Sequence, residues 1–166
     1  IGGSSAYIER RKEAEERALR IGLPSFEEEL WRYTPIDELD LSNYKLDVPG
    51  GPVVDSGLTE GLDSDAAAVI HVVNGKISSI ATFDESISVQ SGGDELENII
   101  GSVVSPEFDF FADCNLAYNT APIFIEIAPN SVVASPILIR HHTTVNNLVW
   151  FPRVFIHAGE NLSLIH

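Results

Sequence analysis

The sequence has few of the residues that mark export, membrane insertion or disulfide chemistry. It contains one cysteine, Cys114, among 166 residues, so an internal disulfide is excluded and a reducing compartment is indicated. No apolar run reaches the roughly 20 residues that a membrane-spanning helix needs, and the N-terminus has no basic-then-apolar export signal. We therefore expect a cytoplasmic protein that does not enter a membrane.

Basic residues are also scarce. Ten Lys and Arg stand against 25 Asp and Glu, which gives a formal net charge of −15. A field of this sign repels phosphate backbones and anionic lipid, so we expect neither nucleic acid nor a membrane surface as a partner. Hydrophobic residues make up 44% and charged residues 21%, a balance that is sufficient for a folded core.

Residues 1–46 are predicted to be a helical segment. Within residues 5–21, Ala14, Ala18 and Ile21 recur at the spacing of one helix face. This stripe is narrow, so we expect a helix that is either solvated or docked on something outside the chain.

Two further features organise the N-terminal part. Ser25 and Glu28 have the spacing of a capping box and predict a short amphipathic turn. Residues 47–64 are rich in proline, glycine and acidic residues, including Pro49-Gly50-Gly51-Pro52, and are predicted to be a linker.

Residues 65–120 are predicted to combine a hairpin with helices. Asn74-Gly75, a dipeptide suited to a type I′ turn, separates two β-prone runs, residues 68–73 and 76–83. A third strand around Ile87 and Val89, a helix over residues 94–100 and a helix over 105–118 follow. The last helix is predicted to start with Ser105 as N-cap, Pro106 and Glu107.

Residues 121–166 predict short strands without intervening helices. Apolar residues alternate at 123–127, 137–139, 154–156 and 162–164, and turn residues divide these runs. A βαβ sheet is therefore not expected. A sandwich, a barrel and a parallel β-solenoid all remain compatible with this pattern.

Signatures of catalysis are missing from the sequence. There is no glycine-rich phosphate loop followed by lysine and no Gly-x-Ser-x-Gly elbow. Cys114 falls late in an apolar helix beside Asp113, where a buried structural thiol is favoured over a reactive one. Glu126 is the only acid within the predicted strands from residue 121 onward, which disfavours a β-helix carbohydrate-active enzyme. We expect a protein that is not an enzyme, with no catalytic residue.

The histidines are the best metal candidates, and none has a spacing that pre-arranges two ligands. His141 and His142 are adjacent, so in a strand they point to opposite faces. His157 and His166 lie nine residues apart on neighbouring predicted strands. We assign no metal ligand and no cofactor-binding residue. The alternative is a small cupin- or jelly-roll-like domain that binds metal or sugar through His141, His157 and His166.

Two stretches of the sequence carry a family resemblance. Residues 22–40 read GLPSFEEELWRYTPIDELD, and residues 121–166 contain IFIEIAP, SPILI and FPRVFIHAGEN. The first resembles a segment near the start of SufD, a component of the Suf iron–sulfur cluster assembly system, and the second is similar to the entry into that family's β-helix. The Asn74-Gly75 hairpin and the helix that ends in Asn115-Leu-Ala117 fit the same order. Trp31-Arg-Tyr favours SufD over its homologue SufB.

The resemblance implies a fold and a role. The implied fold is an α+β N-terminal region, with helices and a β-hairpin, that leads into the first turns of a right-handed parallel β-helix over residues 121–166. SufD-like proteins act as non-catalytic scaffolds, pairing with SufB through the β-helix and with the SufC ATPase through a C-terminal helical region. The full assembly handles an iron–sulfur cluster, but the proposed cluster residues lie in later turns, so no cofactor is expected on this chain.

The two ends of the chain suggest a fragment of a longer protein. The sequence opens at Ile1 without a methionine and ends on the apolar alternation of Leu162, Leu164 and Ile165. A β-helix that stops there leaves backbone donors and acceptors without a following rung. We therefore expect an open edge that pairs with a second copy as a homodimer, is disordered beyond that point, or promotes aggregation.

Overall fold

The computed structural model describes residues 3–53, 61–92, 94–103 and 109–161. Within these ranges the chain is mixed α+β, with three α-helices and two three-stranded sheets. It divides into two compact units whose segments interleave along the sequence. Unit 1 comprises residues 1–47, 93–120 and 147–151, and unit 2 comprises residues 48–92, 121–146 and 152–166.

Within the described residues the helices and strands occur in the predicted order, and the strand predicted at residues 162–164 lies outside them. The helices and strands are α1 (Ser5–Ile21), β1 (Ala68–Val73), β2 (Lys76–Thr82), β3 (Ile87–Ser91), α2 (Asp94–Ile99), α3 (Phe110–Tyr118), β4 (Ile123–Ile127), β5 (Ile137–His142) and β6 (Val154–Ala158). Short 3₁₀ helices occupy Ile36–Glu38, Leu41–Asn43 and Leu62–Asp65. None of the helices in the described ranges is both long enough and apolar enough to cross a membrane.

In unit 1, α1 packs against α3, so the expectation of a solvated or externally docked helix is wrong. Its buried residues are Tyr7, Arg11, Ala14 and Ala18, a longer stripe than the predicted one. Arg11 belongs to this stripe because its Nε donates a buried hydrogen bond of 2.8 Å to the Ala117 carbonyl. Ile21, at the end of the helix, is 53% exposed.

Side chains cap the helices of unit 1. The Ser4 hydroxyl accepts from the Tyr7 N–H at the start of α1, and Gly22 ends the helix with φ 75°. The Asp109 carboxylate accepts from the Ala112 N–H at 2.7 Å and starts α3 at Phe110. The predicted cap and first turn at residues 105–107 lie outside the described residues.

The predicted turn after Ser25 forms as successive turns rather than a helix. The Glu28 carboxylate accepts from the Ser25 N–H at 3.0 Å, which is one half of a capping box, while the Ser25 hydroxyl accepts from Glu27. Backbone hydrogen bonds from Trp31 to Glu28 and from Thr34 to Trp31 continue the turns. The Trp31 ring lies against α3, with its centroid 5.2 Å from that of Phe111 and the two ring planes tilted by 46°.

In unit 2, the hairpin forms as predicted. Asn74 and Gly75 both have positive φ, 53° and 78°, as a type I′ turn requires. β1 and β2 pair antiparallel, with a β-bulge beside His71 and Val72.

The two sheets have the orders β2-β1-β5 and β3-β4-β6. In each sheet the antiparallel pair is extended by a parallel strand from the C-terminal part of the chain: β5 beside β1, and β6 beside β4. The core is built from alternate residues of both sheets, namely Ala68, Ile70, Val72, Ile87, Ile123, Ile125 and Ile127, with Ala67. The alternation predicted for residues 123–127 is therefore confirmed as a core face.

Candidate functional site

Two histidines meet on neighbouring strands of unit 2. His71 Nδ1 lies 3.0 Å from His142 Nε2, and the two rings are nearly parallel, with centroids 5.3 Å apart and an angle of 21°. A separation of 3.0 Å is that of a hydrogen bond in which one ring nitrogen donates and the other accepts. Both side chains are half-buried.

The parallel register brings this pair together. His71 on β1 faces Arg140 on β5, and Val73 faces His142. Because residues two apart in a strand share a face, His71, Arg140 and His142 all lie on the same side of the sheet. Residues 71 and 142 are distant in sequence, so no spacing rule could have identified the pair.

Hydrogen bonds of Asn74 hold the end of β5 beside the hairpin turn. The Asn74 N–H donates to the His142 carbonyl at 2.9 Å, and the Asn74 carboxamide oxygen accepts from the Thr144 N–H at 2.9 Å. The Asn74 amide nitrogen donates to the Pro49 carbonyl and to the Thr144 hydroxyl. Asn74 is buried, and its bonds to His142 and Thr144 hold the backbone at the end of β5 in place.

Of the three histidines of the cupin-like alternative, the two within the described residues, His141 and His157, lie on different sheets. His141 pairs in register with Val72 and so points to the face opposite His142; partial burial, and secondarily His142, lowers its pKa. His157 lies on β6 in the other sheet, where its Nδ1 is 3.6 Å from a carboxylate oxygen of Glu126 and both side chains are exposed. His166 lies outside the described residues.

Cys114 is buried on α3, as predicted. Burial, and then the negative charges of Asp113 and Asp109, raise the pKa of its thiol to about 11. Because the thiolate is the nucleophile and the metal ligand, this environment, which keeps the thiol protonated near neutral pH, disfavours both roles for Cys114.

Two passes of the chain stack on one another in unit 2. Ile123 pairs with Val154 and Ile127 with Ala158, a constant offset of 31 residues. The turns that follow keep the same offset. Asn130 and Asn161 both have positive φ, 59° and 58°, and the Asn161 amide donates to the Asn130 side-chain oxygen at 3.2 Å.

Gly159 lies at a close approach of the two passes, where a side chain does not fit. Its N–H donates to the Ile127 carbonyl at 3.0 Å. A Cβ at this position would lie 2.6 Å from the Pro129 nitrogen and 2.8 Å from its Cα, closer than real Cβ contacts allow. The absence of a side chain therefore lets one turn lie on the other.

The second pass leaves its apolar row uncovered. Parallel partners share a face, so Val154 and Ile156 continue the row of Ile123 and Ile125. Ile123 and Ile125 are fully buried, whereas Val154 is 38% and Ile156 62% exposed. β6 is also the last strand of its sheet within the described residues, so it presents an apolar row together with an open backbone edge.

Within residues 3–53, 61–92, 94–103 and 109–161, no group of three or more His, Cys, Asp or Glu side chains is arranged to hold a metal ion. The contact between the His71 and His142 imidazoles depends on the β1–β5 register, which no local pattern in the sequence encodes.

Comparisons with known proteins add no assignment. The chain matches no family model and no curated protein.

Proposed function

We propose that this chain is a non-catalytic scaffold component of a Suf-type iron–sulfur cluster assembly complex, acting in the cytoplasm with a SufB-like homologue and a SufC-like ATPase. The proposal starts from the resemblance of residues 22–40 and 121–166 to SufD. The observation that carries it is the parallel stacking of residues 123–130 on 154–161 at a constant offset.

The stacking supports the first turns of a parallel β-helix. A solenoid places each pass of the chain on the previous one, so strands pair in parallel and turns recur in register. The β4–β6 pair, the two left-handed asparagines and Gly159 have these properties. The exposed row of Val154 and Ile156 is then the surface that a following pass covers.

The scaffold role accords with the chemistry of the side chains. The pKa of Cys114 is raised to about 11 by burial, which suits packing rather than nucleophilic attack. The cupin alternative requires antiparallel strands and convergent histidines. The parallel pairs β1–β5 and β4–β6, and the placement of His141 and His157 on different sheets, disfavour it.

Co-purification tests the proposal. The full-length protein would be co-expressed with an affinity-tagged SufC-like ATPase and an untagged SufB-like protein from the same organism. We expect all three chains to elute together, and the full-length protein to be lost when the tagged ATPase is omitted. Elution of the ATPase with SufB alone, where a known SufD associates under the same conditions, would overturn the assignment.

A further inference from the structure

We propose that a cleft of unit 1 lined by Phe26 and Tyr33 is a docking site for a basic, apolar segment of a partner protein. This inference goes beyond the scaffold role and does not depend on it. It rests on large apolar side chains that a fixed segment leaves exposed, and on the negative charge that accompanies them in the same cleft.

The segment after α1 exposes three large apolar side chains within eight residues of the chain. Phe26 is 53% exposed, Leu30 84% and Tyr33 91%. Single exposed apolar residues are ordinary on a protein surface, whereas a group of them that includes aromatic rings is typical of a binding surface. Phe26 and Tyr33 also line one cleft of about 380 Å³, so the two rings are available to the same occupant.

The backbone that presents these side chains is held in place. Trp31 is half-buried with its ring against Phe111, and Ile36 is buried. Hydrogen bonds of 2.9 Å from the Trp31 N–H to the Glu28 carbonyl and from the Thr34 N–H to the Trp31 carbonyl join the successive turns. A binding surface that is already ordered loses less entropy when a partner docks.

Charge selects the occupant. Asp37 and Glu38 line the cleft together with the two aromatic rings, and residues 25–40 contain six acidic residues and one basic residue, Arg32. Arg32 also lines the cleft, but its Nη1 lies 3.1 Å from a carboxylate oxygen of Glu29, which balances its charge. Aromatic faces attract Lys and Arg side chains, and the carboxylates complement their charge. A segment with Lys or Arg beside an apolar side chain therefore fits this cleft, and an acidic segment is repelled.

Selection from a phage-displayed library of random peptides, with the immobilised 166-residue chain as bait, provides the test. We expect enrichment of peptides that carry Lys or Arg next to an aromatic or aliphatic residue. The most enriched peptide, labelled with fluorescein, is then titrated with variants by fluorescence polarisation. Phe26→Ala and Tyr33→Ala should each weaken binding at least about fivefold. Leu19→Ala is the matched control, because Leu19 is an apolar residue of the same unit that is 75% exposed outside the cleft, and it should leave the affinity unchanged.

A charge variant separates the electrostatic contribution from the apolar one. Asp37→Asn combined with Glu38→Gln keeps the side-chain sizes and should weaken peptide binding at least about threefold at low salt. The difference from the unaltered chain should shrink at high salt, because ions screen exposed charges.

Three results would overturn the site. The first is a selection that enriches no peptide, and the second is enrichment of peptides without basic residues. The third is equal affinity of the selected peptide for Tyr33→Ala and the unaltered chain, which would place the peptide on another surface. Circular dichroism establishes that each variant is folded. If an alanine variant is not, the Asp37→Asn and Glu38→Gln double variant decides, and full retention of its affinity at low salt would contradict the proposal.

Discussion

At the residue scale, Arg17 and Asp113 form an ion pair in unit 1 whose carboxylate is fully buried. Both Nε and Nη2 of Arg17 donate to Asp113 Oδ1, at 3.1 and 2.9 Å. The Asp113 side chain is fully buried, and its Oδ2 has no hydrogen-bond partner among the described residues. The carboxylate therefore depends on a single cationic side chain.

Removing that cation is predicted to be costly. Arg17→Ala leaves a buried charge uncompensated and should lower the free energy of unfolding by about 3–5 kcal/mol, measured by urea denaturation. Asp113→Asn should cost less, because the Arg17 side chain is 19% exposed and can reach water. Arg32→Ala is the control, since the Arg32–Glu29 pair is exposed and should contribute about 0.5 kcal/mol or less. Equal effects of Arg17→Ala and Arg32→Ala would contradict the burial of Asp113.

The thiol of Cys114 gives a kinetic prediction. With a pKa of about 11, only about one thiol in a thousand is ionised at pH 8. We expect alkylation of the native protein by iodoacetamide, followed by mass spectrometry, to be at least about 100-fold slower than alkylation of the same chain unfolded in urea. Similar rates in both states would show that Cys114 is accessible and reactive.

The same group predicts how stability depends on alkaline pH. Its pKa is raised on folding from 9.0 to about 11, so the folded state holds the proton more tightly. The associated stability is fully present below pH 9 and is lost as the pH rises to about 11. Tyr118, whose pKa is raised from 10.0 to about 12 chiefly by burial, extends the loss. Urea denaturation between pH 8 and 11 should show the decline, and Cys114→Ala should flatten it; an unchanged pH slope in that variant would refute this origin.

At the scale of elements, Gly159 is a position in the stacked turns where an added side chain would meet backbone atoms. Gly159→Ala places a Cβ 2.6 Å from backbone of Pro129 and should destabilise the protein by about 1–3 kcal/mol, as overpacking typically does. Gly51→Ala is the control, because its Cβ would meet only Val73 Cγ1 at 3.8 Å. Thermal unfolding of both variants measures the difference. A neutral Gly159→Ala would mean that the two turns do not stack closely.

Elements that depend on local chemistry could be predicted from the sequence. The Asn74-Gly75 hairpin follows from two residues that tolerate positive φ, and Gly22 ends α1 for the same reason. The stripe predicted for α1 omits Arg11 because arginine is a charged residue type. In the structure Arg11 is buried, and its Nε donates a hydrogen bond to the Ala117 carbonyl.

Pairing between distant strands could not be predicted in the same way. Alternation located β4, β5 and β6, but it carries no information on which strand lies beside which. The β1–β5 register joins residues that are 69 positions apart in sequence, and this register creates the His71–His142 pair. The spacing of the histidines alone therefore predicts no metal site, because the adjacent His141 and His142 point to opposite faces and His71 is far from both in sequence.

At the scale of the whole molecule, the uncovered row on β6 predicts self-association of the 166-residue chain. Val154 and Ile156 continue a core face into solvent, and a second copy can cover both the row and the open edge. Light scattering after size-exclusion chromatography should show a mass that increases with concentration. Ile156→Lys should reduce this effect, whereas Ile21→Lys, at an exposed position on α1, should not. Monomers at all concentrations would contradict the prediction.

The net charge of −15 predicts how a larger assembly responds to salt. Binding to a partner with a basic face is accelerated by electrostatic attraction, which ions screen over about 8 Å at physiological ionic strength. Association rates measured by surface plasmon resonance should therefore fall as salt rises. A rate that does not depend on salt would exclude a basic binding face on the partner.

The most direct test of the scaffold role is sedimentation velocity of the purified full-length protein mixed with its SufB-like homologue. The proposal predicts a new, faster-sedimenting species that contains both chains, and a further increase when the SufC-like ATPase is added. Boundaries that remain the sum of the separate proteins, under conditions where a known SufD and SufB pair associates, would contradict it.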